Sequence, residues 1–208
     1  MIKKRVFHSF INDIRKNNKG DSYDLILPYK ESQRLILLFT AKYDLQDSME
    51  YCKLYLESKS KILKSSLFTS FIITYSRCFT NTKIQGGKLE AKSLLNSCDN
   101  HALLLKLHEN IITIRNNFIA HRDHNNFENY FPYLSIKNDL TECKIVVYSD
   151  NGKFQSNIWV RSYIVLMDKL LKKINELINE NSQKLFDRII DDDTLNKKLT
   201  PINIPKPK

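Results

Sequence analysis

Apolar residues recur along most of the chain at intervals of three and four positions, the spacing of one face of an α-helix. The two clearest stripes are Leu104, Leu107, Ile111, Ile114 and Phe118, and Ile164, Met167, Leu171, Ile174 and Ile178. This pattern predicts a short helix over 3–17 and main helices over 31–43, 45–56, 61–79, a stretch of about 20 residues ending near His121, and 162–190. The segment 31–43 also fits a strand, and we favour the helix.

Two short apolar segments interrupt the helical pattern before the final helix. They are 143–148 and 154–160, and Asn151-Gly152 between them is a strong signal for a β-hairpin. The sequence therefore predicts an all-α fold, an antiparallel bundle of four to five main helices with a small β-hairpin inserted before the last helix. We expect one helical domain over 1–198 and a Pro- and Lys-rich tail over 199–208.

The composition fits a globular helical chain. Of 208 residues, 42% are apolar and 27% charged, which is enough for a core and excludes disorder for most of the chain. Only 4 Gly and 5 Pro argue against a β-sandwich or a Gly-rich phosphate loop. The net charge of +10 favours polyanionic partners such as RNA, although a biased genomic composition rich in Lys and Asn would give the same excess.

The four cysteines, Cys52, Cys78, Cys98 and Cys143, lack CxxC spacing. Those at 52 and 78 lie in apolar helical patterns, which predicts buried free thiols. The first residues are amphipathic and lack the apolar core of a signal peptide, and no run approaches the roughly 20 apolar residues that span a bilayer. We therefore expect a cytoplasmic protein without membrane contact.

A dense polar cluster follows the stripe that ends at Phe118. Its members are Arg115, Asn116, Asn117, His121, Arg122, Asp123 and His124. A guanidinium can clamp a phosphate, and an imidazole can move a proton near neutral pH. Together they suit metal-free cleavage of an RNA phosphodiester, in which protons move at the 2′-hydroxyl and the leaving oxygen while charge builds on phosphorus.

Helix geometry separates the two central groups. Six helical residues turn by about 600°, so Arg115 and His121 lie about 120° apart and about 9 Å apart along the axis. They meet only if the helix breaks near Ala120, if the long arginine reaches round, or if a second chain completes the site. Two-fold pairing of this helix would bring two Arg and two His into one cleft.

The segment RNNFIAH, residues 115–121, resembles the Arg–(four to six residues)–His signature of HEPN domains, the all-helical domains named for higher eukaryotes and prokaryotes nucleotide-binding. The segment YSRCF, residues 75–79, and the continuation RNNFIAHRD look like the branch associated with bacterial abortive-infection proteins. The resemblance spans roughly 45–123, with the final helix added by topology. It implies a helical bundle that dimerises and, in active members, a metal-independent endoribonuclease used as a toxin or in phage defence.

By this resemblance Arg115 and His121 are the candidate catalytic residues, with Asn116 as a polar helper. No cofactor is implied, and the expected partners are RNA, a second copy of the chain, and an antitoxin or regulatory protein. The candidate binding residues are Arg122, Asp123, His124 and Arg77. Two alternatives stay open, a non-catalytic RNA- or nucleotide-binding regulator and a protein-interaction module of a toxin–antitoxin pair.

Several candidates also have a purely structural interpretation. His121 could cap a helix C-terminus, Arg115 could pair with Glu109 or Asp123, and Arg77 could form a salt bridge at the end of the bundle. The histidines 101, 108, 121 and 124 lack the ligand spacing of a zinc site. His108 is expected to pack beside Leu104 and Ile111. Trp159 in the predicted hairpin suits packing better than base stacking.

Overall fold

A computed structural model of the chain describes residues 25–27, 29–80, 87–116, 129–136, 143–150, 156–192 and 200–201. Within these ranges the fold is all-α in class. The helices are α1 (Tyr29–Glu57), α2 (Lys61–Arg77), α3 (Ala91–Leu95), α4 (His101–Ile114) and α5 (Asn157–Asp191). The short strands β1 (Leu25–Ile26), β2 (Asn129–Ile136), β3 (Cys143–Asp150) and β4 (Thr200–Pro201) form two antiparallel ribbons, β1 with β4 and β2 with β3. The predicted helix over 3–17 lies outside the described residues.

The predicted hairpin, which paired 143–148 with 154–160, is not seen. Residues 143–148 lie in β3, whose partner is β2, with Tyr133 opposite Val146. Residues 157–160 instead form the first turn of α5, where the amide of Val160 donates to the carbonyl of Ser156 at 3.3 Å. A helix forms here because Val160 is the first residue of a buried stripe at helical spacing on α5. Packing of that stripe outweighs the local preference of an apolar segment for a strand.

One continuous helix, α1, replaces the two helices predicted over 31–43 and 45–56. Its buried face passes through the expected junction at Leu38, Ala41 and Leu45 without a break. Asp44 is part of the continuous helix, and its carbonyl also accepts the hydroxyl of Ser48 at 2.6 Å. The short α3 was not predicted, because five residues are too few for a periodic pattern.

Helix α2 begins where the sequence predicts and ends two residues early, at Arg77. The side chain of Ser60 caps it by accepting the amide of Leu63 at 3.3 Å, which satisfies one of the otherwise unpaired donors of the first turn. The cysteines 52 and 78 are buried free thiols, as predicted, and burial raises the pKa of both.

The described residues fall into two compact units. The first unit contains 25–40, 87–88, 174–192 and 200–201, and the second contains 41–80, 89–116, 129–136, 143–150 and 156–173. The core of the first unit consists of aliphatic side chains, namely Leu35, Leu37, Leu38, Ile174, Ile178, Leu185 and Ile189. None of the helices in the described ranges combines the length and the apolar character needed to cross a membrane.

The core of the second unit combines many aliphatic side chains with a cluster of aromatic rings. The ring of Phe71 on α2 stacks on Tyr163 of α5 with centroids 5.4 Å apart, and Phe68 contacts both Phe71 and Tyr55 of α1. Such ring pairs contribute about 0.5–1.5 kcal/mol each beyond the burial of their area. Residues 41–57 of α1 run antiparallel to α2 in this unit. The rings of Tyr55 and Phe68 meet at one end, and at the other the thiol of Cys78 donates to the carbonyl of Ala41 at 3.7 Å.

Candidate functional site

Helix α4 carries the predicted site at its C-terminal end. Four residues of its predicted stripe, Leu104, Leu107, Ile111 and Ile114, are buried and fix the helix in the second unit. After Ile114 the amide of Arg115 donates to the carbonyls of Ile111 and Ile112, and residues 115–116 adopt a π-helical turn. Such widened turns are rare and occur frequently at functional sites.

Arg115 is half-buried, and its neighbour Asn116 is exposed. The Nη1 atom of Arg115 donates to the Oδ1 atom of Asn116 at 2.9 Å. In the described part of the chain no carboxylate pairs with Arg115, including the Glu109 that sequence reasoning offered as a partner. The bond to a neutral amide orients the guanidinium and does not neutralise its charge.

The remaining members of the polar cluster, His121, Arg122, Asp123 and His124, lie outside the described residues. The convergence of Arg115 and His121 therefore stays a prediction, as does the two-fold pairing that would bring two copies together.

Arg77 forms the salt bridge that sequence reasoning left open. Its Nη2 atom lies 3.4 Å from Oδ1 of Asp44 on α1, and the carboxylate is nearly buried while the guanidinium is exposed. Burial raises the pKa of Asp44, the charge of Arg77 opposes this shift, and Asp47 adds to it. The pair lies at the end of α2 at which Cys78 contacts α1, and the convergence of Arg77 with Arg115 stays a prediction.

A histidine–tyrosine pair in the second unit was missed by sequence reasoning. The Nδ1 atom of His108 and the hydroxyl of Tyr75 are hydrogen-bonded at 2.9 Å, and the rings of Phe79 and His108 pack edge to face with centroids 4.6 Å apart. Burial lowers the pKa of His108 to about 4, against a smaller opposing effect of Glu90. The pair joins helices 33 positions apart in sequence, and no local motif signals such a contact.

Trp159 also lies where sequence reasoning did not place it. It belongs to the first turn of α5 rather than to a strand, and 47% of its surface is exposed. One turn further along α5, the hydroxyl of Tyr163 accepts the amide Nδ2 of Asn110 on α4 at 3.0 Å. The signal that could have found this placement is the helical spacing of Val160, Tyr163 and Met167.

Within the described ranges, no three His, Cys, Asp or Glu side chains come together as metal ligands. Comparison with known proteins finds no match for the chain among protein-family models, curated proteins or solved structures, and the likeness to HEPN domains therefore rests on the residues at 75–79 and 115–123.

Proposed function

We propose that the protein is a metal-independent endoribonuclease of the HEPN type that acts as a homodimer, as a toxin or in phage defence. The observation that carries this proposal is the environment of Arg115. It stands at the end of an amphipathic helix, bonded to the neutral Asn116, six residues before His121. An arginine held by a neutral side chain keeps the charge that a phosphate needs.

The proposed reaction is an internal transfer of the phosphoryl group. The imidazole of His121 takes the proton of the ribose 2′-hydroxyl, and the 2′-oxygen forms a bond to the adjacent phosphorus. The bond between phosphorus and the 5′-oxygen breaks, and the imidazolium returns a proton to that oxygen. The products are a 2′,3′-cyclic phosphate and a 5′-hydroxyl, with no net oxidation or reduction. Arg115 neutralises the charge that builds on the phosphoryl oxygens.

The position of Arg115 is also favourable to the fold. A cation near the C-terminus of a helix interacts with the exposed carbonyl groups, which contributes about 0.3–1 kcal/mol at a surface position. This interaction stabilises a cation at this end of α4. An anion that binds there meets a side chain already oriented by Asn116.

The test is cleavage of single-stranded RNA in the presence of EDTA. We expect the wild-type protein to cut, and His121→Ala and Arg115→Ala each to lose about 100-fold or more in rate. The matched control is His101→Ala, at the exposed first residue of α4, which should keep wild-type activity. Circular dichroism checks that each variant folds.

Unchanged cleavage by His121→Ala would overturn the proposal. Tight RNA binding without turnover by the wild-type protein would also overturn it, and would favour the non-catalytic alternative.

A further inference from the structure

The turn between α1 and α2 is the tip of a helical hairpin that is closed by its own hydrogen bonds. The amide of Ser58 donates to the carbonyl of Leu54 at 2.9 Å, which continues α1 into the turn. The amide of Ser60 donates to the hydroxyl of Ser58 at 3.2 Å, and the hydroxyl of Ser60 accepts the amide of Leu63 at 3.3 Å. We call residues 57–64 the hairpin tip, and these bonds hold it in one shape.

Two adjacent aliphatic side chains at the hairpin tip are open to solvent. Ile62 is 81% exposed and Leu63 is 50% exposed. The core face of α2 is marked by Phe68, which is buried. At 100° per residue, Ile62 lies about 120° to one side of Phe68 and Leu63 about 140° to the other side. Both therefore lie on the side of α2 that faces away from the core.

The hairpin tip is also cationic. It carries three lysines, Lys59, Lys61 and Lys64, against one carboxylate, Glu57. No ion pair in the described part of the chain includes Lys59 or Lys61, and both are exposed. The amine of Lys64 lies over the ring of Tyr55 on α1, 4.8 Å from its centre. Side chains of a helix lean toward its N-terminus, so the lysines and the aliphatic pair of the first turn of α2 all project toward the tip.

This combination of charge and apolar surface matches an anionic lipid bilayer. The lipid headgroups attract lysines, and the acyl region takes up aliphatic side chains. A second copy of the tip would instead bring like charges together. RNA has phosphates for the lysines but no apolar partner for the aliphatic pair, and the nearby rings of Tyr55 and Phe68 are buried and cannot stack on a base. Two aliphatic side chains are also a small surface beside the roughly 1,200–2,000 Å² that stable protein interfaces bury.

We propose that the hairpin tip docks the protein on an anionic lipid bilayer, with Ile62 and Leu63 inserted below the headgroups and the lysines against the lipid phosphates. The expectation of no membrane contact rested on the absence of a run long enough to span a bilayer, and a surface contact needs no such run. Two aliphatic side chains and three lysines give a weak, reversible attachment, comparable with the association constant of about 10⁴ M⁻¹ of one myristoyl chain. The attachment does not depend on whether the protein cuts RNA.

The test is flotation of the protein with vesicles of phosphatidylcholine that contain about 30% phosphatidylglycerol, compared with vesicles of phosphatidylcholine alone. We expect binding to the anionic vesicles to be at least about tenfold stronger, and to weaken as salt is raised. The double variant Ile62→Ser, Leu63→Ser should lose about 10- to 100-fold in affinity, because both aliphatic side chains are withdrawn from the acyl region. Its circular dichroism should match that of the wild type, since both residues are exposed.

The matched control is Ile73→Ser. Ile73 is 45% exposed and lies within about 20° of Ile62 on the same face of α2, but about 16 Å further along the axis. This variant should bind vesicles as the wild type does. The double variant Lys59→Ala, Lys61→Ala should lose about 10- to 30-fold on anionic vesicles and keep the weak binding to neutral ones.

The inference is overturned if the wild type does not bind anionic vesicles, or if the Ile62→Ser, Leu63→Ser variant binds them within twofold of the wild type. An equal loss from Ile73→Ser would also overturn it, because the contact would then be the outer face of α2 and not the tip. If the lysine variant loses affinity for single-stranded RNA while its vesicle binding is unchanged, the tip binds nucleic acid instead. If the aliphatic variant changes the oligomeric mass of the protein, the pair packs against a second copy, and the inference is again wrong.

Discussion

The burial of His108 beside Tyr75 predicts a specific loss of stability in mild acid. Burial lowers the pKa of His108 to about 4 in the folded protein, whereas an unfolded histidine has a pKa of about 6.5. The unfolded chain therefore binds more protons between these values. The free energy of unfolding rises with pH across this window and falls as the pH drops through it, with the loss complete below about pH 4.

The magnitude follows from the gap between the two pKa values. At 1.36 kcal/mol per pH unit, His108 accounts for a loss of about 2 kcal/mol between pH 7.5 and pH 5, and about 3 kcal/mol by pH 4. Other groups affect the pKa of His108 or the pH dependence of the free energy of unfolding. Glu90 opposes the downward shift, and the hydroxyl of Tyr75, whose own pKa is raised by burial, stays protonated throughout. Asp44, with its raised pKa, contributes a change of the opposite sign.

The assay is urea unfolding at pH 7.5 and pH 5, followed by circular dichroism, for the wild type and His108→Gln. Glutamine can still accept a hydrogen bond from Tyr75 but does not titrate, so the variant should lose about 2 kcal/mol less than the wild type between the two pH values. Taking this difference cancels the contribution of Asp44. His101→Gln, on the exposed first residue of the same helix, should behave as the wild type because His108 is untouched. Equal losses for the wild type and His108→Gln would refute the reasoning.

Three substitutions test the rest of the second unit. Arg77→Ala removes the cation from the nearly buried carboxylate of Asp44 and should lower the free energy of unfolding by about 1 kcal/mol. The value is modest because the guanidinium is exposed. If urea unfolding showed no measurable loss, the pairing would be contradicted. Phe71→Ala opens a cavity beside Tyr163 and should cost about 3–5 kcal/mol in thermal unfolding; a loss below about 1 kcal/mol would show that the ring is not in the core. Tyr163→Phe leaves the ring in place and removes the partner of Asn110, for a cost of about 1 kcal/mol; a stabilised variant would contradict the hydrogen bond.

Helices with a long apolar stripe could be predicted from the sequence, because the residues of such a stripe are the ones buried in the core. Four residues of the α4 stripe, from Leu104 to Ile114, are buried as expected. On α5 the predicted stripe included Ile164 and Leu171, which are only half-buried, while Leu166 and Leu170 are fully buried. Met167, Ile174 and Ile178 of the predicted stripe are buried, so the period and the centre of the face were right and only its edge differs, because many apolar residues in one helix leave the edge of the buried face to the packing partners.

The secondary-structure prediction from local composition was wrong where tertiary packing determines the structure. The run from Phe154 to Val160 is rich in residues that favour strands, yet Val160 belongs to the buried face of α5. The break expected near Asp44 does not occur, because the buried face at Leu38, Ala41 and Leu45 continues through it and Arg77 pairs with the carboxylate of Asp44. Arg77 is far from Asp44 in sequence, so no local motif signals this pairing.

For the candidate site too, residues within one segment could be named from the sequence, and contacts between helices could not. Arg115 and Asn116 could be named from the sequence because both lie in one short segment, and the structure shows them hydrogen-bonded, while their role in a site stays a prediction. The contact between His108 and Tyr75 and the place of Trp159 depend on which helices meet, and that is decided by the packing of α2, α4 and α5.

The central claim is that Arg115 and His121 together cleave an RNA phosphodiester without a metal. Its most direct test is to identify, by mass spectrometry, the ends of RNA fragments produced in EDTA. The account predicts 2′,3′-cyclic phosphate and 5′-hydroxyl ends from the wild-type protein, and at least about 100-fold fewer of them from folded Arg115→Ala. Fragments with 5′-phosphate ends, or the same yield of cyclic phosphate from Arg115→Ala, would contradict it.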